Sequence, residues 1–515
     1  MRITNKMMTN NMLYNINLNK NNMTTLENKY ASGLEIQKPS DDPIVAVRAL
    51  KLRNNLSELN QYYKKNIPDA KSWMESTESA LKNTSEVITK LHTYCVQGAN
   101  DTLTESERKY IVDNLLGLKA QVYQEGNANY AGRYLFTGYK TDTPLVFENA
   151  ETGINYEITE KFAPSDIEIS SRIVDSVQMD DFELSDVDDF ETSVRPTSNT
   201  IYRIRLAYNN LKAVEKGGSL TIRIPEVDEN GEIVTDDDGI TQYEDEVTQD
   251  SMNVLTSDDP LAYKPEDGEI NYIEDTGEII MSASVYNEWR KSSFEITYQK
   301  DSFSKNELRP EHYFDCIATP IEDGELVTED AIQYKNEDQE ISYEINFNQR
   351  LAINVQGKDA YRHSLGRAID DIVSAISDVE SVKDKIAKVD KMLEDTSIEQ
   401  SQINKLKEIR SVLNTELDLK DSLMREAYSK GLTAMTSEEN AVNTATSDIG
   451  TRYNRLELAE DRLSTQQVEF TELLSQTEDA DMVETIVNYN AANTVYNASL
   501  QAAGKVVKNT LLDFL

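Results

Sequence analysis

The two ends of the chain carry the same hydrophobic repeat, and the long middle does not carry it. Near the start, residues recur at alternating steps of four and three, at Met12, Ile16, Asn19, Met23 and Leu26. Near the finish, the repeat runs through Ile486, Tyr489, Asn493, Tyr496, Leu500, Ala503 and Val507. This spacing is the seam of a coiled coil, and so narrow an apolar stripe cannot form a globular core alone. Each end therefore needs a partner helix, either the other end or another copy, which favours an assembly subunit over an enzyme.

The first helix, predicted over 9–31, is rich in asparagine, which is a mediocre helix former. Asn19 and Asn493 stand in the seams, where asparagine weakens a coiled coil but fixes its register. A helix of this composition is marginal on its own in water. We therefore expect residues 1–40 and 480–515 to be poorly ordered in the free monomer and to order on assembly.

Negative charge is concentrated in the middle of the chain. The net charge is −40, and residues 141–400 hold 60 Asp and Glu against 23 Lys and Arg. Such a surface repels nucleic acid and anionic membranes, so neither is an expected partner. No run of about 18 apolar residues is present, and we expect no membrane insertion.

Nothing in the sequence indicates catalysis or a cofactor. Cys95 and Cys316 are the two cysteines, and no pattern of a zinc site or disulfide framework surrounds them. The chain contains no HExxH, no phosphate-binding glycine loop and no GxSxG. The segment 226–237 partly matches a calcium loop, but Glu226 and Asp237 stand where the motif has Asp and Glu, which favours a hairpin turn.

The order of patterns is helices, then short alternating runs punctuated by Asp-Gly and Asn-Gly, then helices again. We predict an α+β multidomain fold, in which both termini form an α-helical coiled-coil stalk and a β-rich insert occupies the middle. The predicted domains are a terminal assembly domain (1–40 with 480–515), a helical-bundle stalk (41–140 with 357–479) and an acidic outer insert of one or two domains (141–356). The two termini should lie side by side at one tip.

Several residues predict where helices begin, are interrupted or end. Asp42 is placed to cap a helix whose first residue is Pro43, and that helix should be kinked or interrupted before Pro68. Thr104 and Glu107 form a capping-box pattern. A loop is predicted near 395–397, and a last long helix is predicted from Ser447 into the terminal repeat.

Several segments resemble the bacterial flagellin family. They are the motif Pro39, Ser40, Asp41, Asp42 and Pro43, the segment 447–457, and the closing residues 511–515. Within that family, Gly132 with Arg133, Tyr134, Leu135, Phe136, Thr137 and Gly138 is most similar to the hook-associated protein 3 branch. The resemblance covers residues 1–147 and 445–515, and it does not cover the acidic insert.

The resemblance implies a structural subunit that is secreted unfolded through the flagellar type III apparatus to the distal end of the hook. There it would dock on hook-associated protein 1, form a ring with copies of itself and provide the surface on which flagellin polymerises, and an export chaperone would accompany it. Two alternatives stay open: a filament flagellin, and an acidic adhesin or binding module on a coiled-coil stalk.

Overall fold

The computed structural model of this chain describes residues 5–100, 103–179, 182–187, 190, 195–226, 234, 242–322, 324–395 and 399–512. Its helices are α1 (Asn5–Ser32), α2 (Pro43–Gln61), α3 (Ile67–Gly98), α4 (Glu105–Glu125), α5 (Ala283–Trp289), α6 (Gly357–Ala360), α7 (His363–Leu393), α8 (Gln400–Glu478) and α9 (Met482–Leu512). Its strands are β1 (Asn129–Tyr130), β2 (Arg133–Tyr134), β3 (Ile154–Phe162), β4 (Glu168–Val174), β5 (Thr197–Arg205), β6 (Leu220–Pro225), β7 (Tyr243–Thr248), β8 (Asn253–Leu255), β9 (Ile270–Ile273), β10 (Glu278–Met281), β11 (Phe294–Lys300), β12 (Asp315–Glu322), β13 (Glu325–Leu326), β14 (Ile332–Tyr334), β15 (Ser342–Asn346) and β16 (Gln349–Ala352).

This order confirms the predicted fold class, with helices at both ends and several sheets in the middle. The chain forms two compact units. The first contains residues 1–71, 343–351 and 453–515, and the second contains 72–342 and 352–452. The division into three domains stays a prediction.

The predicted interruption before Pro68 is a single π-helical turn, Tyr62–Asn66, between α2 and α3. The N–H of Ile67 bonds to the carbonyl of Tyr62, five residues back, in the pattern of a π-turn. The turn is held by the hairpin of β15 and β16, because the Asn66 amide donates to the Glu344 carbonyl at 2.8 Å and the Tyr62 ring packs edge-on against Phe347 at 5.6 Å.

The predicted helix starts are confirmed. The Asp42 carboxylate accepts hydrogen bonds from the N–H groups of Ile44 and Val45 at 3.0 and 3.1 Å, so it caps the free amides of α2. At the start of α4, the Glu107 carboxylate accepts from the Thr104 N–H at 2.8 Å. This hydrogen bond lowers the pKa of Glu107. Of the predicted loop 395–397, Asp395 follows the end of α7 at Leu393, and residues 396 and 397 lie outside the described residues.

The prediction for the last helix is wrong. Instead of one helix from Ser447 into the terminal repeat, α8 is already helical from Gln400, and the chain breaks between α8 and α9. The break is set by Asp481, whose carboxylate accepts from the N–H groups of Val483 and Glu484 at 2.9 and 3.1 Å. A new helix therefore begins there without a glycine or proline.

Two larger sheets form the middle of the chain. One has the order β13-β12-β3-β11-β6-β7, with β14 also paired to β12, and every one of its pairs is antiparallel. The other has the order β4-β5-β10-β9-β8, in which β8 and β9 are parallel. The tip between β6 and β7, which contains most of the calcium-like segment, lies largely outside the described residues.

A single hydrophobic core joins the inner faces of these two sheets. Ile158, Ile222 and Ile296 enter it from the first sheet, and Ile204 and Ile279 enter it from the second. Along β6 and β11 the buried side chains alternate with more exposed neighbours, as the period of a half-buried strand requires, whereas all four residues of β10 are buried. A separate core joins α7 and α8, where Val382, Val389, Leu406 and Ile409 pack together.

Candidate assembly interface

The terminal helices α1 and α9 pack against each other, as the repeats predict. In α1, the predicted seam is the least exposed stripe: Ile16 is buried, and Met12, Asn19, Met23 and Leu26 are partly buried. In α9, Tyr489, Asn493, Tyr496 and Ala503 are partly buried, whereas Ile486 and Leu500 are exposed. The side chain of Val507 lies outside the described residues.

The stripe of α9 is therefore offset by one residue at two positions. Thr485 is buried and Ser499 is partly buried, where the repeat predicts Ile486 and Leu500. Steps of four and three run equally well through 485, 489, 492, 496 and 499. The seam with α1 is consequently more polar than predicted, and Ile486 and Leu500 are left on the outer side.

Two contacts fix the register of the pair. The Asn19 amide donates to the Ser499 hydroxyl at 3.0 Å. The rings of Tyr30 and Tyr489 stack with their centroids 6.4 Å apart and their planes within 10°. A polar pair inside an apolar seam tolerates one alignment and penalises others.

Much apolar surface stays uncovered on the outer side of the pair. Leu13 and Tyr14 of α1 are 53% and 66% exposed, and Val483 and Val487 of α9 are 75% and 61% exposed. Leu18 and Val495 are also exposed. The sequence analysis missed these residues because they lie off the seam, although their size and their number on helices with little other hydrophobic content could have signalled them. Exposed apolar residues of this size and number indicate a protein–protein contact surface.

The inner ends of the two helices are joined by a short backbone clamp. Leu34 and Asp479 form an isolated antiparallel bridge, in which Glu35 N–H donates to the Glu478 carbonyl at 2.8 Å and Ala480 N–H donates to the Gly33 carbonyl at 2.9 Å. Gly33 ends α1 with a φ of +72°, as expected of a glycine cap. Arg53 of α2 pairs with the Glu478 carboxylate, with Nε 3.0 Å from Oε2.

The proline-flanked motif Pro39–Pro43 lies in the loop after this clamp. Its Asp41 carboxylate accepts from the N–H groups of Gln37 and Lys38 at 3.2 and 2.9 Å, and Asp42 caps α2. Both acids therefore shape the turn that leads from α1 into α2. Ser40 is exposed. The motif therefore shapes the turn between α1 and α2.

The segment Arg133–Gly138 lies in the second compact unit and builds its core. Leu135 and Phe136 are buried, and Phe136 packs edge-on against Tyr361 with centroids 5.0 Å apart. Arg133 stands 4.9 Å from the Trp73 ring centroid. The hydroxyl of Tyr134 donates to Glu148 at 3.3 Å, and Gly138 has a φ of +60°. The segment is a structural hairpin rather than an exposed surface.

The described residues contain no group of three or more His, Cys, Asp and Glu placed to hold a metal ion. Cys95 and Cys316 are buried. His312 is also buried, which lowers its pKa to about 4, and its Nε2 lies 3.1 Å from the Pro144 carbonyl.

Among the described helices, none combines the length and the apolar character that a membrane span requires.

Comparison with known proteins assigns the two ends of the chain. Residues 3–141 match the bacterial flagellin N-terminal helical region, and residues 432–515 match the bacterial flagellin C-terminal helical region. A flagellin of Clostridium tyrobutyricum is 33% identical over 127 residues, which are 25% of this chain and 33% of that protein. A flagellar hook-associated protein 3 of Salmonella typhimurium is 29% identical over 155 residues, which are 30% of this chain and 48% of that protein.

The chain thus spans a third to a half of the length of these curated relatives. Among solved structures, a flagellar hook associated protein-3 from Legionella pneumophila aligns with 82% of this chain and 97% of its own, at 10% identity and a TM-score of 0.30. The similarity to flagellins rests on the two terminal regions.

Proposed function

We propose that the chain, which belongs to the bacterial flagellin family through its two terminal regions, is a structural subunit of the bacterial flagellum at the junction between hook and filament. The observation that carries the proposal is that these two regions fold onto each other as one helix pair with an apolar outer surface. Such a surface needs partners, and copies of the same chain supply them most simply.

Assembly would add the apolar burial that the isolated pair of α1 and α9 lacks. Within the described part of α1, only Ile16 among the hydrophobic residues is fully buried, so the pair gains little from apolar burial by itself. Neighbouring subunits in a ring would cover Leu13, Val483 and Val487 and add that missing burial. The proposed partners are copies of this chain, hook-associated protein 1 below the ring, flagellin above it, and an export chaperone before secretion.

The junction role rests on the segment Arg133–Gly138 and on the similarity to hook-associated protein 3. A filament flagellin is the competing proposal, and the similarity to the Clostridium flagellin favours it. A third proposal is an adhesin, in which the strongly acidic middle region would bind a surface. In none of these proposals is the protein an enzyme, and in all of them it is secreted.

A deletion strain of the source bacterium separates the three proposals. Loss of filaments together with flagellin released into the medium supports the junction role at the distal end of the hook. Intact filaments with altered attachment support the adhesin. Immunogold labelling of the tagged protein along whole filaments supports filament flagellin, whereas labelling confined to the filament base supports the junction.

Complementation with point variants tests the assembly surface itself. Val487→Asp places a charge on the exposed apolar side of α9 and should abolish filament rescue. Asn490→Asp adds the same charge at an exposed polar position of the same helix and should rescue. Equal rescue by both variants would contradict the proposed surface.

A further inference from the structure

A polar cleft of about 1380 Å³ lies within the second compact unit. One wall is formed by β4, at the edge of the five-stranded sheet, with β5 behind it, and the other wall is formed by α7 and α8. Serine hydroxyls line both walls, at Ser170, Ser171, Ser364, Ser374 and Ser381. The cleft is therefore rich in groups that hydrogen-bond to hydroxylated ligands.

Most cationic side chains of this cleft are paired with carboxylates. Arg203 lies 2.6 Å from Glu278 and 3.0 Å from Asp371. Lys430 lies 2.9 Å from Glu426. Arg172 and Lys420 also have a carboxylate within 4.0 Å. These ion pairs leave little net positive charge at their positions.

Arg367 of α7 is different. Its hydrogen bond runs from Nε to the Ala207 carbonyl at 3.2 Å, and among the described residues no carboxylate lies within 4.0 Å of its guanidinium. The side chain is half-buried, and burial lowers its pKa to about 10. A partly desolvated charge that touches no carboxylate is costly, so direct contact with an anion would be favourable there.

Glu160 is the nearest candidate for an internal counter-ion, and it is already engaged. Its carboxylate accepts from the Ala207 N–H at 2.6 Å and from the Tyr298 hydroxyl. Burial raises the pKa of Glu160, and the nearby charge of Arg367 lowers it. Glu160 and Asp371 therefore compensate the charge of Arg367 in part, through space and without direct contact.

His363 stands one turn before Arg367 on the same side of α7 and also lines the cleft. Its Nε2 is buried, and no hydrogen-bond partner for it exists among the described residues. The ring is held by Tyr208 and Tyr313, with centroids 5.0 and 4.8 Å away. Burial keeps the pKa of His363 well below its ordinary value, so the neutral ring has one N–H to donate.

We propose that Arg367 and His363 form a binding site for the carboxylate of a hydroxylated acid, such as a sugar acid. A planar guanidinium binds a carboxylate through two parallel hydrogen bonds, and the unpartnered Nε2 can add a third. Serines that line the cleft are available to hydrogen-bond the hydroxyl groups of the acid. One partly compensated positive charge matches a carboxylate better than a phosphate dianion, because Glu168 and Asp371 in the same cleft would repel the second negative charge.

Calorimetric titration of the full-length protein with glucuronate tests the site, with glucose and inorganic phosphate as parallel probes. We expect saturable binding of glucuronate at one site and weaker binding of the other two. Arg367→Met keeps the aliphatic stem and should weaken glucuronate binding at least tenfold. Arg410→Met removes a paired cation of α8 outside the cleft and should leave the affinity unchanged.

His363→Phe keeps the aromatic packing and should weaken glucuronate binding severalfold. Since Arg367→Met removes a half-buried charge that touches no carboxylate and keeps the aliphatic stem, its melting temperature without ligand should equal or exceed that of the wild type. Absence of glucuronate binding, equal binding by wild type and Arg367→Met, or a clear loss of thermal stability in Arg367→Met would overturn the proposal. The site is independent of the flagellar role, so neither failure implies the other.

Discussion

Asn19 of α1 donates its side-chain amide to the hydroxyl of Ser499 in α9, across 480 positions of sequence. The hydrogen bond lies inside the seam of the terminal helix pair, where leucine or isoleucine would contribute more to stability. Asn19 therefore contributes less to stability than an apolar residue would, but it defines the alignment of the two terminal helices.

Replacing Asn19 with leucine should stabilise the pair by about 1 kcal/mol, because apolar burial exceeds one hydrogen bond in worth. Amide exchange of α1 and α9 should slow accordingly. Asn17→Leu, on the exposed side of α1, is the matched control and should change exchange little. A slower exchange in the control than in Asn19→Leu would contradict the role of the seam.

In the free monomer, amides of α1 and α9 should exchange far faster than those of α3. The terminal pair buries few apolar side chains, whereas α3 buries Trp73, Met74, Leu81, Ile88 and Leu91. Exchange followed by mass spectrometry measures this difference directly. Comparable protection of α1, α9 and α3 would show that the terminal pair is stable without assembly.

Asp42→Ala should destabilise the start of α2 by about 1 kcal/mol, since two amide donors lose their acceptor. The effect should appear as faster exchange of Ile44, Val45 and Ala46. Ser40→Ala, in the same exposed loop, should leave those rates unchanged.

Glu438 should make stability depend on pH. It is buried in α8, its carboxylate accepts from the Arg362 N–H at 2.8 Å, and burial raises its pKa to about 7 from an ordinary value of 4.5. The folded state thus binds the proton more tightly than the unfolded state. Its contribution is complete below pH 4.5 and is lost as the pH rises to about 7.

Glu438→Gln should therefore gain stability over the wild type as pH rises, by an amount on the order of 3 kcal/mol at pH above about 7. Urea unfolding of both proteins at a series of pH values gives this difference. Glu439→Gln, at the adjacent and less buried position, should show no such trend.

Asp371 joins α7 to β5 and should stabilise the protein in the opposite pH direction. Burial alone raises its pKa, but Arg205 and Arg203 lower it below its ordinary value. Its contribution is present above the unfolded pKa and is lost as the pH falls. Asp371→Asn should cost about 2 kcal/mol in thermal unfolding at neutral pH. Asp378→Asn, an exposed partner of Lys420 at 3.7 Å, should cost less than about 0.5 kcal/mol.

Features that depend on neighbours in the chain were predictable from the sequence. The caps at Asp42 and Thr104 depend on residues a few positions away, and Pro68 itself signals the interruption before it, although the distant hairpin of β15 and β16 holds that turn. The break after Glu478 was missed because its signal is a single aspartate, Asp481, without glycine or proline. The sequence does not distinguish Asp481 from the other aspartates of the chain, because the bridge of the neighbouring Asp479 to Leu34 appears only in the folded structure.

The seam register and the sheet order depend on distant contacts. Tyr489, Tyr496 and Ala503 fit both possible frames of the α9 stripe, so side-chain type alone could not choose Thr485 over Ile486. Strand β3 pairs with β11 and β12, far along the chain, and no local pattern specifies those partners. Arg367 was not a candidate because its lack of a carboxylate in direct contact appears only in three dimensions.

The bridge between Leu34 and Asp479 can form only late in synthesis, after the ribosome has added Asp479. The first helix leaves the ribosome long before its partner exists, so it cannot close onto the rest of its unit while the chain is being made. A ribosome stalled anywhere before Asp479 holds a nascent chain whose leading helix is open. Throughout translation, α1 is therefore accessible to other proteins that bind nascent chains.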